Sequence, residues 1–537
     1  MLALAGLIFL IGDLSPEVFY DSLHYHLAVP NLYLVAHRIY DPPNLAYSSL
    51  VMTADLVWGF AYTVGNELTA KVLHGAMALL LLAAFIAFER RFLAPGAGLL
   101  GALFFLSTPM VGMNIATAGI DVAASALQFV AIFALIRALE EPESPQWLLL
   151  AGILTGIAAS CKYTYLPAIP IACILIIWHR RRVAAFAISA TLMVLPFFAR
   201  NVVFHHNPVY PFFATSLGVP RLTAENWQNI SKETQPRKLE DFSTAGSVFH
   251  LALHPWFITM DGRTSSDFIG PIFLGLLPLA LFARPPSKAY GILARYCLGL
   301  WIVWLLTTSM PRFAMPLIAM LSLILAHALL TASAGVWRRA VVFISSLIVL
   351  TNLYFTLFFN ANSENWRVLF GQVPERVYLG EAHPTYPAPG YEAFEWMNEH
   401  LPAGSKVLVS GDSRTMYTRV PVVPSSVFNS QVIVETARMA RDGDEMARLL
   451  RDQGLTHIFV NFAEAVRTDS YGLFRFNAQS WAVLDDFWSR YPELIFVRYQ
   501  PDPLNLKGLF VFKIRSDEEA GRPAPPAPNP FVRWKPK

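Results

Sequence analysis

Apolar residues come in long unbroken runs up to about residue 360 and in shorter alternating or helical patterns after it. The early runs fall at approximately 1–12, 68–88, 97–113, 118–138, 147–161, 163–178, 183–200, 267–284, 290–308, 312–332 and 338–359. A helix that crosses a bilayer needs about 20 mostly apolar residues, because every backbone N–H and C=O must be satisfied within the segment. Eleven such runs predict a polytopic helical membrane domain over residues 1–360, with long loops at 13–67 and 201–266. The first run is short and starts at Met1 with no basic stretch before it. It resembles neither a secretory signal nor a whole span, so the natural chain is expected to begin upstream.

Beyond a linker at 361–389 the pattern changes. Between 390 and 515 the β-type runs KVLVSG, HIFVNF, LIFVRYQ and LFVFKI alternate with helical segments such as GYEAFEWMNEHL and DEMARLLRDQG, which predicts a small α/β domain. The last segment, 516–537, contains RPAPPAPNPFVRWKPK, a proline-rich tail expected not to pack.

Composition supports the membrane reading: 55% of the residues are hydrophobic and 15% charged, where soluble domains carry about 25% charged residues. The net charge of +3 gives no global basic field, so no nucleic-acid partner is expected. Charge placement says more. With the N-terminus inside, the basic clusters Glu89-Arg90-Arg91, Arg137, His179-Arg180-Arg181-Arg182, Arg284 with Lys288, and Trp337-Arg338-Arg339 all fall on the inner side. The two long loops, the turn from Asn114 to Asp121, the Lys162 turn and everything after Asn360 then lie outside, as expected for a multi-pass protein of the inner or plasma membrane. The three cysteines, Cys161, Cys173 and Cys297, sit in apolar runs without metal-ligand spacing. The sequence contains no Walker A motif, no GxGxxG in a strand-turn-helix setting and no HExxH, so cytosolic nucleotide chemistry has no support and no cofactor is expected.

Against that background the stretch FYDSLHYHLAVPNLYL, Phe19 to Leu34, is unusual for its polar groups. Asp21 and His24 are three apart and would share a helix face, whereas His24 and His26 are two apart and would not, which argues against a joint metal site; a divalent metal is not indicated. Asp21 also suits a helix N-cap, and the segment YHLAVPNLYLVAHRIY suits a helix lying in the membrane interface. Asp121 opens a span and reads equally as a cap. Lys162 fits a snorkelling anchor, but Lys162, Arg200 and Arg312 all stand on the side that the positive-inside bias disfavours, for which anion binding is a competing explanation.

The ordered set YDSLHYHLAVPNLYL, ATAGIDVAASALQ, GILTGIAASCKYTYLPAIP, ARNVVFHHNPVYPFF and MPRFAMPLIAML resembles the GT-C class of polytopic glycosyltransferases. It is most similar to the family 39-like enzymes related to protein mannosyltransferases and the aminoarabinose transferase. The resemblance covers roughly residues 1–360 and implies a GT-C-like fold. It also implies transfer of a sugar from a polyprenyl-phosphate donor, at the outer face of the membrane, to a lipid, glycan or protein acceptor. By the same resemblance Asp21 serves as, or helps position, the catalytic base, and Asp121 is a second catalytic acidic residue lining the same cavity. His24, Lys162, Arg200 and Arg312 become the substrate-binding candidates, the three cations for the donor phosphate. The first loop lacks the adjacent acidic pair typical of protein mannosyltransferases, which weighs against a protein acceptor, and Glu17 is the nearest substitute.

Two other functions compete. A transporter or flippase predicts inverted repeats and charges near the middle of spans, neither of which the sequence has. A non-catalytic scaffold for envelope assembly leaves the outer-edge cations unexplained.

Overall fold

The structure, a computed structural model, describes all residues except 142, 180, 215–216, 218–226, 231–241, 261–267, 283–284, 309, 333–334, 500–507, 523–526 and 537. Arg180 and Arg284, two of the inner cations, and much of the 201–266 loop thus lie outside the described residues. The chain divides into two compact units, one of residues 1–17, 51–202 and 233–372, the other of 18–50, 203–232 and 373–537.

The first unit is helical. Each of the eleven apolar runs forms helix, but among the described residues six helices are long and apolar enough to cross a membrane, or seven if one bent pair counts as a single span. The six are Glu67–Phe92, Asp121–Glu140, Ala184–His205, Lys288–Thr307, Pro311–Thr331 and Val336–Asn362. The chain is thus an integral, multi-pass membrane protein. The 97–113 run is the bent pair: Ala97–Leu106 and Pro109–Ile115 meet at 79°. Pro109 explains the break, since it cannot donate into a continuing helix and sits at the first position of the next one. Close helix packing comes from small residues. In Gly152-Ile-Leu-Thr-Gly156, a Cβ at either glycine would meet the backbone of the facing helix, 2.6 Å from Phe186 O or 2.4 Å from Ala190 O. Phe85, Phe88, Phe129 and Leu323 are fully buried in the core these helices share.

The second unit contains a five-stranded mixed sheet in the order β2-β1-β3-β5-β4. Its strands are β1 (Val407–Ser410), β2 (Val422–Val423), β3 (His457–Asn461), β4 (Pro492–Tyr499) and β5 (Gly508–Ile514). β1 runs parallel to β2 and β3, whereas β5 is antiparallel to both β3 and β4. The parallel β1–β3 pair needs a crossover, supplied by the helices Val432–Met439 and Gly443–Asp452. Ile458, Val460, Phe512, Leu484 and Phe487 form the core, and Ala46, Tyr210 and Ala214 from the two inserted segments join it.

Two expectations are corrected here. The 25–40 segment turns much of its apolar surface into the second unit rather than outward. Its helix, Ala28–Val35, buries Ala28, Val29, Leu32 and Tyr33, and Asn31 Nδ2 donates to Thr418 O at 2.8 Å. The proline-rich tail does pack where it is described. Phe531 is fully buried, Trp488 Nε1 donates to Pro528 O at 3.1 Å and Trp534 Nε1 to Asp469 Oδ1 at 2.6 Å. Two aromatic residues outweigh the prolines around them, because each buries a large apolar area and Trp534 also pairs its N–H.

Candidate functional site

In the helical unit, Asp121 is the first residue of its helix, and Ile120, with no side-chain acceptor, holds the cap position. Capping therefore does not explain Asp121. Its buried carboxylate accepts from Lys162 Nζ at 2.9 Å and from the Tyr165 hydroxyl at 2.6 Å, and Arg312 Nε lies 3.8 Å away. Lys162 and Tyr165 reach it together because Tyr163–Tyr165 is a single 3₁₀ turn directly after Lys162. Lys162 Nζ also sits 4.5 Å from the centroid of the Phe313 ring, a cation–π distance. The structure thus unites three of the sequence candidates around one anion and adds Tyr165.

Arg200 belongs to a neighbouring chain of contacts. Its guanidinium donates to Asn201 Oδ1 from Nε at 3.2 Å and Nη2 at 3.0 Å, and Asn201 Nδ2 donates to the Tyr163 hydroxyl at 3.1 Å. Glu17 is placed differently from a second catalytic carboxylate: it is buried and accepts from Ala118 N at 2.6 Å, in the turn that leads to Asp121. His74 holds the same turn through Nδ1 and Thr117 O, 2.7 Å apart, and Trp58 Nε1 donates to Gly119 O at 2.8 Å. Nothing in the sequence pattern announces these supports, because each joins residues about 40 to 100 positions apart.

Asp21 and His24 belong to the second unit. Asp21 precedes a π-helical turn, Ser22–His26, at the cap position, yet its side chain makes no capping hydrogen bond. The α-helical spacing that would align Asp21 with His24 therefore does not apply, and π turns of this kind concentrate at functional sites. His24 is 1% exposed, its Nε2 lies 2.6 Å from Ser413 Oγ, and its ring contacts those of Tyr20 and Tyr47. Burial pushes the His24 pKa down to about 4, against the smaller opposing pull of Asp21 and Asp412, so the ring is neutral near pH 7.

A second charged cluster, unforeseen from the sequence, surrounds Tyr20. Arg414 forks onto Asp412, with Nε to Oδ1 and Nη2 to Oδ2 both at 2.8 Å, and Nη2 lies 3.2 Å from Glu464 Oε2. Arg467 forks onto Glu464 at 2.7 and 2.6 Å, and the Tyr20 hydroxyl donates to Glu464 Oε1 at 3.0 Å. Gly411 makes the turn into this cluster with a φ of +77°, and a Cβ there would lie 2.6 Å from Ala465 Cβ. Among the described residues no group of three or more His, Cys, Asp or Glu side chains converges to hold a metal ion.

Residues 51–204 match the model of a family described as dolichyl-phosphate-mannose-protein mannosyltransferase. No curated protein matches the chain in sequence. Among solved structures the chain is similar to ArnT from Cupriavidus metallidurans bound to undecaprenyl phosphate, with a TM-score of 0.56 at 12% identity over 96% of this chain and 97% of that one. The oligosaccharyltransferase of Archaeoglobus fulgidus tethered to an acceptor peptide gives a TM-score of 0.56 at 12% identity, over 96% of this chain and 74% of that one. The archaeal oligosaccharyltransferase AglB from Archaeoglobus fulgidus, in complex with an inhibitory peptide and a dolichol-phosphate, gives 0.51 at 12% identity, over 95% and 74%. Matched by that family model over the stretch that holds Asp121 and Lys162, and by these structures over nearly its whole length, the chain has the fold of the GT-C glycosyltransferases.

Proposed function

We propose that this protein is a membrane glycosyltransferase that moves a sugar from a polyprenyl-phosphate donor to an acceptor on the outer face of the membrane. The observation that carries the reading is the Asp121 cluster, where one buried carboxylate faces two cations, Lys162 and Arg312. Cations of these two kinds suit a lipid phosphate, an arginine offering a fork of donors and a lysine a point charge. The lipid phosphates named with ArnT and AglB support a donor of that class.

The chemistry asks little more of the protein. Asp21 takes the proton from the acceptor nucleophile, the new glycosidic bond forms at the anomeric carbon, and the polyprenyl phosphate departs with the electron pair of the broken bond. Lys162, Arg200 and Arg312 stabilise the charge growing on that phosphate, and Asp121 and Tyr165 hold two of those cations in place. His24, expected to bind substrate, is buried against Ser413 and is read instead as an anchor of the Asp21 loop. The leaving group is already activated, and no step is assigned to a cofactor. The sugar is a hexose or pentose, and the acceptor a lipid, glycan or protein. The alternation of basic clusters supports eleven crossings of the inner or plasma membrane, with the N-terminus inside and the α/β domain outside.

The test uses purified protein in nanodiscs. Polyprenyl phosphate should bind and neutral polyprenol should not, and Asp21→Asn should abolish transfer while leaving phosphate binding intact. Equal binding of the two lipids, or full activity in Asp21→Asn, would overturn the proposal.

A further inference from the structure

The proposed base sits in a loop, and loops are mobile unless something holds them. In the second unit, the residue before Asp21 and the residue three after it are both tied to the α/β domain. Tyr20 reaches Glu464 through its hydroxyl, and the guanidinium groups of Arg414 and Arg467 lie 5.3 and 5.1 Å from the centroid of its ring. His24 meets Ser413. We propose that the α/β domain serves as a clamp that fixes the Asp21 loop in its working conformation, and that Tyr20 and Ser413 are positioning residues for the transfer reaction.

Where the clamp lies on the sheet supports this. Ser413 and Arg414 follow the end of β1, and Glu464 and Arg467 follow the end of β3. Those are the carboxyl ends of two adjacent parallel strands, the place where open α/β sheets hold their ligands. Here a segment of the same chain takes that place. The buried charges agree with such a use. Arg414 is 0% exposed and Asp412 and Glu464 1% each, an arrangement that apolar side chains could replace if stability alone mattered. Charged groups with fixed forks instead define one position for the tyrosine ring and hydroxyl. Further along the loop the same domain grips Asn44, whose Nδ2 donates to Glu435 Oε2 at 2.8 Å, and Ala46, whose N donates to Asn429 Oδ1 at 2.9 Å.

This inference rests on the reading of Asp21 as the base, and its test separates the two. Full-length protein in nanodiscs would carry Tyr20→Phe, Ser413→Ala or both, with Arg441→Ala, an exposed residue of the same domain, as the control. Two measurements are made: amide hydrogen exchange over residues 18–27, and steady-state transfer. The clamp predicts faster exchange in that segment and a fall in kcat of about tenfold or more in the double variant, because small misplacements of a catalytic group cost that much. The KM for donor and the binding of polyprenyl phosphate should stay unchanged, and Ser413→Thr should restore the rate lost in Ser413→Ala. Unchanged exchange, or faster exchange with an unchanged kcat, would overturn the clamp. Full activity in Asp21→Asn would instead overturn the base assignment, whatever the exchange shows.

Discussion

Two charged clusters, one in each unit, differ in how far their cations are exposed. Around Asp121 one carboxylate meets two cations, and the side chains of Lys162 and Arg312 each keep 16% of their surface accessible. Around Arg414 two carboxylates, Asp412 and Glu464, meet two guanidinium groups, and Arg414 itself has no accessible side-chain surface. The balanced cluster has no charge left over for a ligand and reads as a fastening. The Asp121 cluster keeps its two cations partly accessible, which fits contact with an anion that comes and goes. Access to the charged groups, rather than burial of a charge alone, separates a candidate site from a support.

The largest effect should come from breaking the balanced cluster. Arg414→Met removes the cation between two buried carboxylates and leaves both uncompensated, a change that costs about 3–5 kcal/mol. Chemical denaturation followed by tryptophan fluorescence should show the α/β domain losing most of its stability, whereas Lys162→Met should leave that transition unmoved. A small loss in Arg414→Met would mean that the cluster does not fasten the domain.

Much of this architecture is legible in the sequence, and the parts that are not share a cause. The strands β1, β3, β4 and β5 coincide with the apolar runs that predict them, and all eleven early runs are helical. β2 is missed because two residues, Val422 and Val423, make no pattern. The 79° bend at Pro109 is missed because hydropathy has no direction. Lys162 and Arg312 could be singled out because cations at the ends of apolar runs are conspicuous by type and place, and Asp121 only through the family resemblance. The partners of Tyr20 and His24 could not, since Glu464 and Ser413 lie 444 and 389 residues away and no local spacing encodes them.

A second prediction uses pH. His24 is neutral in the folded protein with a pKa of about 4, against 6.5 when unfolded, through burial first. Between these values the unfolded chain binds a proton that the folded one refuses, so stability is full above about pH 6.5 and falls as the pH drops toward 4. The loss from this one ring is up to about 3 kcal/mol. Asp412 adds nothing to it in that window: Arg414 outweighs burial and holds its carboxyl below the usual range, so its contribution disappears only at lower pH. Thermal melts of wild type and His24→Gln at pH 7 and pH 5 should show a smaller pH-dependent drop in the variant. Equal drops would place the proton uptake elsewhere.

The smallest effects should come from the Asp121 cluster, and they separate charge from geometry. Lys162→Met removes one of the two cations beside Asp121 and should weaken polyprenyl-phosphate binding by about tenfold or more, as expected for one charged hydrogen bond of about 1.5 kcal/mol or above. Arg312→Lys keeps the charge and changes only its shape. A guanidinium presents fixed parallel donors to a phosphate, while an ammonium is a mobile point charge, so the loss should be about 1 kcal/mol, or roughly fivefold. Both changes should leave neutral polyprenol unaffected. Salt sharpens the distinction, because partly accessible charges are screened: raising the ionic strength should weaken phosphate binding to the wild type and narrow its advantage over Lys162→Met. Were Arg312→Lys to cost more than Lys162→Met, fork geometry at Arg312 rather than the charge of Lys162 would set donor affinity, and the contrast between the two clusters would have to be drawn from shape.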